Sequence, residues 1–109
     1  MTETKSPLPF EVTQVARELG MHVRIARKRR RMLQSELAQK AGVGEKTIRR
    51  LEKGEDGVSM GNVLSALWAL GLLPTARALA NPETDVHGKT LELACLPERV
   101  RGSAPNNDF

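Results

Sequence analysis

The 109-residue sequence has almost no aromatic residues and a single cysteine. Its aromatic residues are Phe10, Trp68 and Phe109, and tyrosine is absent. The core must therefore be built from Leu, Val, Ile and Ala, which favours a small all-helical fold over a sheet rich in β-branched and aromatic residues. With Cys95 alone, an internal disulfide framework is excluded. The length predicts one domain with one modest core.

Long apolar runs and clustered metal ligands are also missing from the sequence. No run approaches the roughly 20 residues of a transmembrane helix, and the N-terminus lacks a signal-peptide segment. We therefore expect a soluble cytoplasmic protein with no membrane partner. His22 and His87 lie far apart, and Cys95, between apolar neighbours, is interpreted as a small core residue. Without a ligand cluster or a phosphate-binding glycine pattern, the sequence predicts no enzyme, metal site or cofactor.

Positive charge is concentrated in one part of the chain. Residues 17–53 contain 12 Lys or Arg and four Asp or Glu, a net charge of +8, whereas residues 54–109 carry −3 and residues 1–16 carry −1. A basic run alone is more often a solvated surface. A concentrated basic region is also typical of a protein that binds a polyanion, so the choice depends on the motif that carries the charge.

Residues 33–54, LQSELAQKAGVGEKTIRRLEKG, contain such a motif. One helical pattern begins near Gln34, a second covers about residues 45–53, and Gly42-Val43-Gly44 forms the turn between them. In the second helix Ile48 and Leu51 face inward and the charged side chains face outward. Two short helices joined by a glycine turn, with long polar side chains on the second, are typical of a DNA-reading helix-turn-helix.

Helical patterns also flank this motif. Residues 1–9 are expected to be flexible, and a first helix follows from Phe10 to about Arg31, with Thr13 as its cap and a break at Gly20. An apolar stripe on this helix contains Val12, Val15, Ala16, Leu19, Val23 and Ala26. Ser59 should cap a fourth helix over residues 60–70, and a short fifth helix should cover residues 75–80. The domain is expected to span residues 10–81. Residues 82–109 are expected to form a C-terminal extension that is partly disordered, with one or two helical turns within 89–96.

The fourth helix carries more apolar surface than one contact requires. Besides a stripe of Val63, Leu67 and Leu70, it has a second stripe of Met60, Leu64 and Trp68. We interpret the second stripe as a dimer or partner surface, with burial of Trp68 in the core as the alternative.

The pattern of the motif and its flanks resembles the lambda-repressor-like helix-turn-helix of the Cro/cI (XRE) family. The matching residues are Gln34, Glu36-Leu37-Ala38, Gly42-Val43, Thr47-Ile48, Leu51-Glu52, Gly54 and Leu70-Gly71. The resemblance covers about residues 19–72. It implies an all-α, five-helix DNA-binding domain with a short C-terminal extension, double-stranded DNA as the ligand, and a homodimer on a palindromic operator. Gly44 departs from the pattern, because the family usually has Ser or Thr there, and a phosphate contact and a strong N-cap are lost.

The same resemblance implies roles for individual residues. Base edges in the major groove would be read from helix 45–53 by Glu45, Lys46, Arg49 and Arg50. DNA phosphates would be contacted by Gln34, Thr47, Lys53, Arg30 and Arg31. Arg27 and Glu52 occupy positions that often form a semi-buried ion pair between the first and third helices, so we assign them a structural role.

A narrower resemblance is to the HipB-type antitoxins. It rests on the leader before the first helix, the segment VSMGNVLSALWALGL, the Asn81-Pro82-Glu83 run and the LPERVR ending. It implies an antitoxin that binds and neutralises a HipA-type kinase toxin and represses its own operon. Two functions therefore stay open, a homodimeric DNA-binding repressor and a protein-binding antitoxin, and one chain can perform both.

Overall fold

The computed structural model of the protein describes residues 7–99, which form helices and no strands. The helices are α1 (Phe10–Arg29), α2 (Gln34–Ala41), α3 (Glu45–Glu52), α4 (Met60–Ala69), α5 (Leu73–Ala76), a 3-10 helix (Pro82–Thr84) and α6 (Val86–Arg99). The all-α prediction is confirmed, with α6 in addition to the five predicted helices. The disorder predicted for residues 103–109, and the flexibility predicted for the first six residues, lie outside the described part of the chain. The described residues divide into two compact units, 7–76 and 77–99.

The core of the first unit is aliphatic, as the shortage of aromatic residues requires. Its buried members are Val23, Ala26, Leu37, Ala38, Ile48, Leu51, Ala66, Leu67 and Leu70. The largest fully buried side chains come from three helices, Val23 of α1, Leu37 of α2 and Ile48 of α3. Burying these side chains removes apolar surface from water and fixes α2 and α3 against α1. The small side chain of Ala38, also buried, lets neighbouring helices pack closely against α2.

The ends of the motif helices follow from local backbone chemistry. Gly42 ends α2 in the left-handed conformation, with φ at 73°, and its N–H donates to the carbonyl oxygens of Ala38 and Gln39. Gly44 is the N-cap of α3 and provides no side-chain hydrogen bond. The Oγ of Ser59 accepts a 3.2 Å hydrogen bond from the N–H of Asn62 and caps α4, as predicted.

The predicted break at Gly20 was wrong, because α1 is one continuous helix of 20 residues. Gly20 is buried where α1 meets the end of α3. A Cβ atom at this position would contact the carbonyl oxygen of Leu51 and lie 2.8 Å from that of Glu52. Glycine is therefore required for close packing between two helices rather than for a change of direction. The predicted cap was also wrong: α1 starts after Pro9, and the Thr13 hydroxyl donates to the Phe10 carbonyl oxygen at 2.8 Å.

The apolar stripe predicted on α1 is buried only along its C-terminal half. Val23 and Ala26 are in the core and Leu19 packs against it, whereas Val12 and Val15 are exposed. The helix keeps its periodicity there without a core to cover it. Among residues 7–99, no helix is long and apolar enough to cross a membrane.

The C-terminal predictions need three corrections. Helix α5 covers Leu73–Ala76 rather than 75–80, beginning with a hydrogen bond from the Thr75 N–H to the Leu72 carbonyl oxygen. Helix α6 has 14 residues instead of one or two turns. The Asp85 carboxylate accepts a 2.9 Å hydrogen bond from the Gly88 N–H, so the helix begins at Val86, before the predicted start at residue 89. Cys95 is exposed, so its assignment as a core residue was wrong.

Candidate nucleic-acid interface

The outward face of α3 presents a row of charged side chains. Ile48 and Leu51 point into the core, which leaves Glu45, Lys46, Arg49 and Arg50 exposed on the opposite side. Since α3 has 3.6 residues per turn, positions 45, 46, 49 and 50 occupy neighbouring places on one surface. The structure therefore brings together all four residues predicted to read bases.

Both arginines of this face are paired with carboxylates. Arg49 Nη1 lies 3.0 Å from Glu45 Oε2, and Arg50 Nε lies 2.9 Å from Glu55 Oε1. All four side chains are about half exposed, and ion pairs of this kind contribute little stability. A phosphate or a guanine edge can therefore replace the carboxylates. Within the described residues, Lys46 takes part in no ion pair.

Glu55 was not predicted from the sequence as a residue of this site. It follows the end of α3 and pairs with a residue five positions earlier, outside the i,i+4 spacing that is read from a helical pattern. The Glu55 N–H also donates to the Arg50 carbonyl oxygen at 3.1 Å, which turns the chain back and brings the carboxylate to Arg50.

A buried ion pair connects α1 to α3. Arg27 is 7% exposed, and its Nε and Nη2 donate to the two carboxylate oxygens of Glu52 at 2.6 and 3.0 Å. Arg27 Nη1 donates to the Met32 carbonyl oxygen at 2.7 Å. Two parallel N–H···O bonds fix both the distance and the angle between the partners. The pair thus fixes the end of α3 relative to α1 and to the segment that leads into α2.

Gln34 is the first residue of α2, and its side chain also contacts this pair. Its Nε2 donates to Glu52 Oε1 at 3.0 Å, so the amide predicted for phosphate binding is directed inward. The Glu36 carboxylate accepts from the Leu33 N–H at 2.7 Å and completes the start of the helix. The backbone N–H groups of the first turn of α2 are what remain for an anion.

Two clefts of about 350 Å³ flank the outward face of α3. The first is lined by Arg24, Arg27, Gln34, Arg49, Glu52 and Lys53. The second contains Arg17, Arg50 and Lys53 next to Glu55 and Asp56. Arg17 reaches this position because Gly54, with φ at 79°, lets α1 approach: a Cβ there would lie 2.6 Å from the Arg17 Cα atom. Arg17 and Arg24 were not predicted as site residues, although the count of basic residues included them.

The other residues predicted to contact phosphate do not lie together: two are at the ends of α3, and two are at the end of α1. Lys53 is exposed and Thr47 half-buried at the two ends of α3. Arg30 and Arg31 lie beyond the end of α1, where Arg30 Nη1 donates to the Ala26 carbonyl oxygen at 2.8 Å. They line a third groove, together with Lys40 and Trp68, rather than the clefts beside α3.

The second stripe of α4 is largely exposed. Met60 is 72% exposed and Trp68 61%, whereas Leu64 between them is half-buried against the core. The alternative that Trp68 is a core residue was therefore wrong.

Four helices packed around an aliphatic core, with a glycine turn that sets an exposed basic helix, define a small helix-turn-helix module of the DNA-binding class. The sequence model of a family described as "Helix-turn-helix domain" matches residues 18–80, more than half of the chain, and the protein belongs to this family.

A curated relative supports the same assignment. The chain is 44% identical over 54 residues to an uncharacterized HTH-type transcriptional regulator, y4mF, from Sinorhizobium fredii (strain NBRC 101917 / NGR234). The matched segment covers 50% of this chain and 71% of the relative. No solved structure matches the chain.

Proposed function

We propose that the protein is a sequence-specific regulator of transcription, a homodimeric repressor that inserts α3 into the major groove of double-stranded DNA. The observation that carries this proposal is the outward face of α3, where Lys46 and two arginines are exposed directly opposite the buried Ile48 and Leu51. A major groove admits one α-helix, and long basic side chains reach the O6 and N7 acceptors of guanine there. We assign DNA binding to residues 10–81 and treat residues 82–109 as an extension.

In this proposal the base-reading side chains differ in whether an ion pair must be broken before they contact DNA. Lys46 is at the start of α3 and has no competing carboxylate among the described residues, so it contacts bases first. Arg49 and Arg50 exchange Glu45 and Glu55 for DNA, which costs little because both pairs are exposed. Once released, Glu45 can accept a hydrogen bond from the N4 amino group of cytosine.

Phosphate contacts position the domain without reading sequence. We assign them to Lys53, Thr47, Arg30, Arg31 and the first turn of α2. Gln34 contributes its backbone N–H there, while its side-chain amide stays on Glu52. The pair of Arg27 and Glu52 supports the start of α2 and the end of α3 together and does not contact DNA.

Lysine variants test the proposal by titration of labelled duplexes from the region upstream of the protein's own gene. Lys46→Ala should cost about 1–3 kcal/mol on the preferred duplex and relax the preference at one base pair. Lys53→Ala should weaken binding to all duplexes alike and reduce the salt slope by about 1 for each copy, which is about 2 for the dimer. The matched control is Lys89→Ala, an exposed lysine of α6 that should change neither value. The proposal would be refuted if binding did not depend on salt and footprinting found no protected sequence in the upstream region.

We place self-association on the exposed stripe of α4, at its Met60 end. Met60 is the most exposed residue of the stripe, and Leu64 beside it is anchored in the core, so a second copy would find an apolar contact on a rigid support. In sedimentation measurements Met60→Glu should shift the protein from dimer to monomer, because a charge would be buried at the contact. A dimer that is unchanged by Met60→Glu would remove this assignment.

An antitoxin is the second candidate function, because apolar residues are exposed at both ends of α4 and on the first turns of α1. Surfaces of this kind mark contacts with other proteins. In this alternative the protein binds and neutralises a HipA-type kinase toxin in addition to DNA. A kinase gene next to this one, together with a purified complex in which phosphorylation is inhibited, would support it. A neighbouring kinase that does not bind the protein would argue against it.

A further inference from the structure

The groove that contains Trp68 has a chemistry different from the clefts beside α3. It lies where the ends of α1 and α4 meet α2, has a volume of about 820 Å³, and is lined on its apolar side by Met32, Trp68, Ala69 and Leu70. Leu70 is in the core, so this side is rigid, whereas Trp68 stands 61% exposed at the edge. Tryptophan in such a setting is the residue type most often found at the centre of protein contacts.

The opposite rim of the groove is basic. Arg30, Arg31 and Lys40 line it, and Glu36 is the acid among them. The Glu36 carboxylate already accepts from the Leu33 N–H. None of the ion pairs among the side chains of residues 7–95 involves the three cations of the rim. The rim therefore presents positive charge that this part of the chain does not neutralise.

Arg31 adds a conformational observation. Its φ is 55°, in the left-handed region, where a helix usually ends in glycine. A residue with a Cβ atom is less favourable in this conformation than glycine. The chain thus places an arginine side chain on the rim at a position where the backbone favours a residue without a side chain.

We propose that this groove binds an acidic segment of another protein, with an apolar side chain against Trp68 and carboxylates on Arg31 and Lys40. DNA alone would match the cations and leave the apolar side uncovered. A second copy is disfavoured, because at a two-fold axis each patch faces itself, and the three rim cations beside Trp68 would then face their own equivalents. The two ends of the α4 stripe therefore have different partners, a second copy at Met60 and an acidic segment at Trp68.

The proposal has a regulatory consequence that rests on the proposed function. Arg31 is also assigned to a DNA phosphate, so an acidic segment in the groove and DNA would compete for the same arginine side chain. Binding of the partner would then release the protein from its operator.

The test starts from a random-peptide library displayed on phage and selected against the full chain. The selected peptides should be rich in Asp and Glu and contain an apolar side chain. A synthetic peptide should shift the emission of Trp68, the one tryptophan of the sequence. The same peptide with Gln for Glu and Asn for Asp should not bind. A library that yields no binder, or binders without acidic residues, would overturn the proposal, as would a duplex that shifts the Trp68 emission to the same extent by itself.

Variants then locate the binding. The affinity of a labelled peptide should fall about tenfold, which is about 1.4 kcal/mol, in Trp68→Ala and in Lys40→Gln, since each variant loses one contact with the peptide. Lys53→Gln, an exposed lysine outside the groove, is the matched control and should leave the affinity unchanged. If Trp68→Ala folds poorly by circular dichroism, Lys40→Gln, a change at an exposed position, decides the question. Peptide affinity that is indifferent to Lys40→Gln would contradict the proposal.

Competition with DNA completes the test. Adding the peptide to a labelled duplex complex should release the duplex, and a duplex that stays bound would overturn the competition. A protein that binds the peptide but no duplex would refute the proposed function and leave the groove assignment in place. A protein that binds the duplex but no peptide would refute the groove assignment and leave the proposed function in place.

Discussion

At the scale of single residues, the buried pair of Arg27 and Glu52 holds the helix-turn-helix motif in place. A charge that leaves water needs a partner, and here the Glu52 carboxylate accepts hydrogen bonds from Nε and Nη2 of Arg27 and from Nε2 of Gln34. Each of these three residues belongs to a different helix. The geometry of α3, the helix proposed to read bases, therefore depends on one carboxylate to which we assign no DNA contact.

Glu52→Gln tests this dependence. The change keeps the size of the side chain and removes its charge, which leaves Arg27 buried without a counterion. We expect the free energy of unfolding to fall by about 3–5 kcal/mol, measured by urea denaturation. The matched control is Glu55→Gln, which removes the same charge from the half-exposed pair with Arg50 and should cost less than about 1 kcal/mol.

A double variant separates the charge from the shape of this pair. Replacing both partners by apolar residues, as in Arg27→Met with Glu52→Leu, should recover part of the stability that Glu52→Gln loses, because no charge is then left buried. Equal losses for Glu52→Gln and Glu55→Gln would contradict the account.

Sequence reasoning identifies some residue partners and misses others for a definite reason. Arg27 and Glu52 could be paired in advance because a family pattern places them together. Arg50 and Glu55 could not, because their contact depends on the path of the loop after α3. Gln34 shows a third case: its position at a helix start was predictable, but the direction of its amide depends on Glu52, which is 18 residues away.

At the scale of helices, the close approach of α1 to the end of α3 depends on a glycine inside a helix. Glycine in a helix interior is normally unfavourable by about 0.5–1 kcal/mol relative to alanine. At Gly20 this cost is offset, because the carbonyl oxygens of Leu51 and Glu52 occupy the space of a Cβ atom. A backbone contact cannot be relieved by a change of rotamer, so the two helices would have to separate.

The paired substitutions Gly20→Ala and Gly61→Ala should therefore have opposite effects. Gly61 lies in the first turn of α4, and no atom lies within 4 Å of the place that its Cβ would take, so alanine should stabilise the protein by about 0.5 kcal/mol. Gly20→Ala should destabilise it by about 3 kcal/mol through overpacking. Thermal unfolding followed by circular dichroism measures both. A gain in stability for Gly20→Ala would show that α1 does not pack as closely as described.

Gly20 also shows which features of the helices could not be predicted from the sequence. Periodicity and caps predicted α2, α3 and α4 almost to the residue, because Gly42, Gly44 and Ser59 act within their own turns. A glycine needed for contact with a distant helix has the same local appearance as a helix break. The stripe of α1 was likewise visible as a pattern, but its burial depends on how far the core extends, so the exposure of Val12 and Val15 could not be predicted from the sequence.

At the scale of the whole molecule, the number of charges in each segment could be counted from the sequence. Which cations lie together in the structure could not be predicted from it. Nine of the 12 cations of residues 17–53 line two clefts beside α3 and one groove at Trp68. Arg17 and Arg24 join α3 residues in the clefts, although both belong to α1 and the whole of α2 separates them from α3 in the sequence. In the proposed complex, the concentrated positive charge should speed association with DNA, and the grouping of the cations should determine which phosphates they contact.

The salt dependence of DNA binding tests this arrangement for the molecule as a whole. Three cations per copy, Arg30, Arg31 and Lys53, are assigned to phosphates. Counterion release then predicts that log K falls with log salt concentration with a slope of about −5 for two copies and about −3 for one. Titrations of one labelled duplex at several salt concentrations give the slope, and Met60→Glu should move it from the first value toward the second if self-association uses α4. A slope near zero would show that the basic region is a solvated surface and not a DNA-binding one, and a slope that Met60→Glu leaves unchanged would show that the two copies do not meet at Met60.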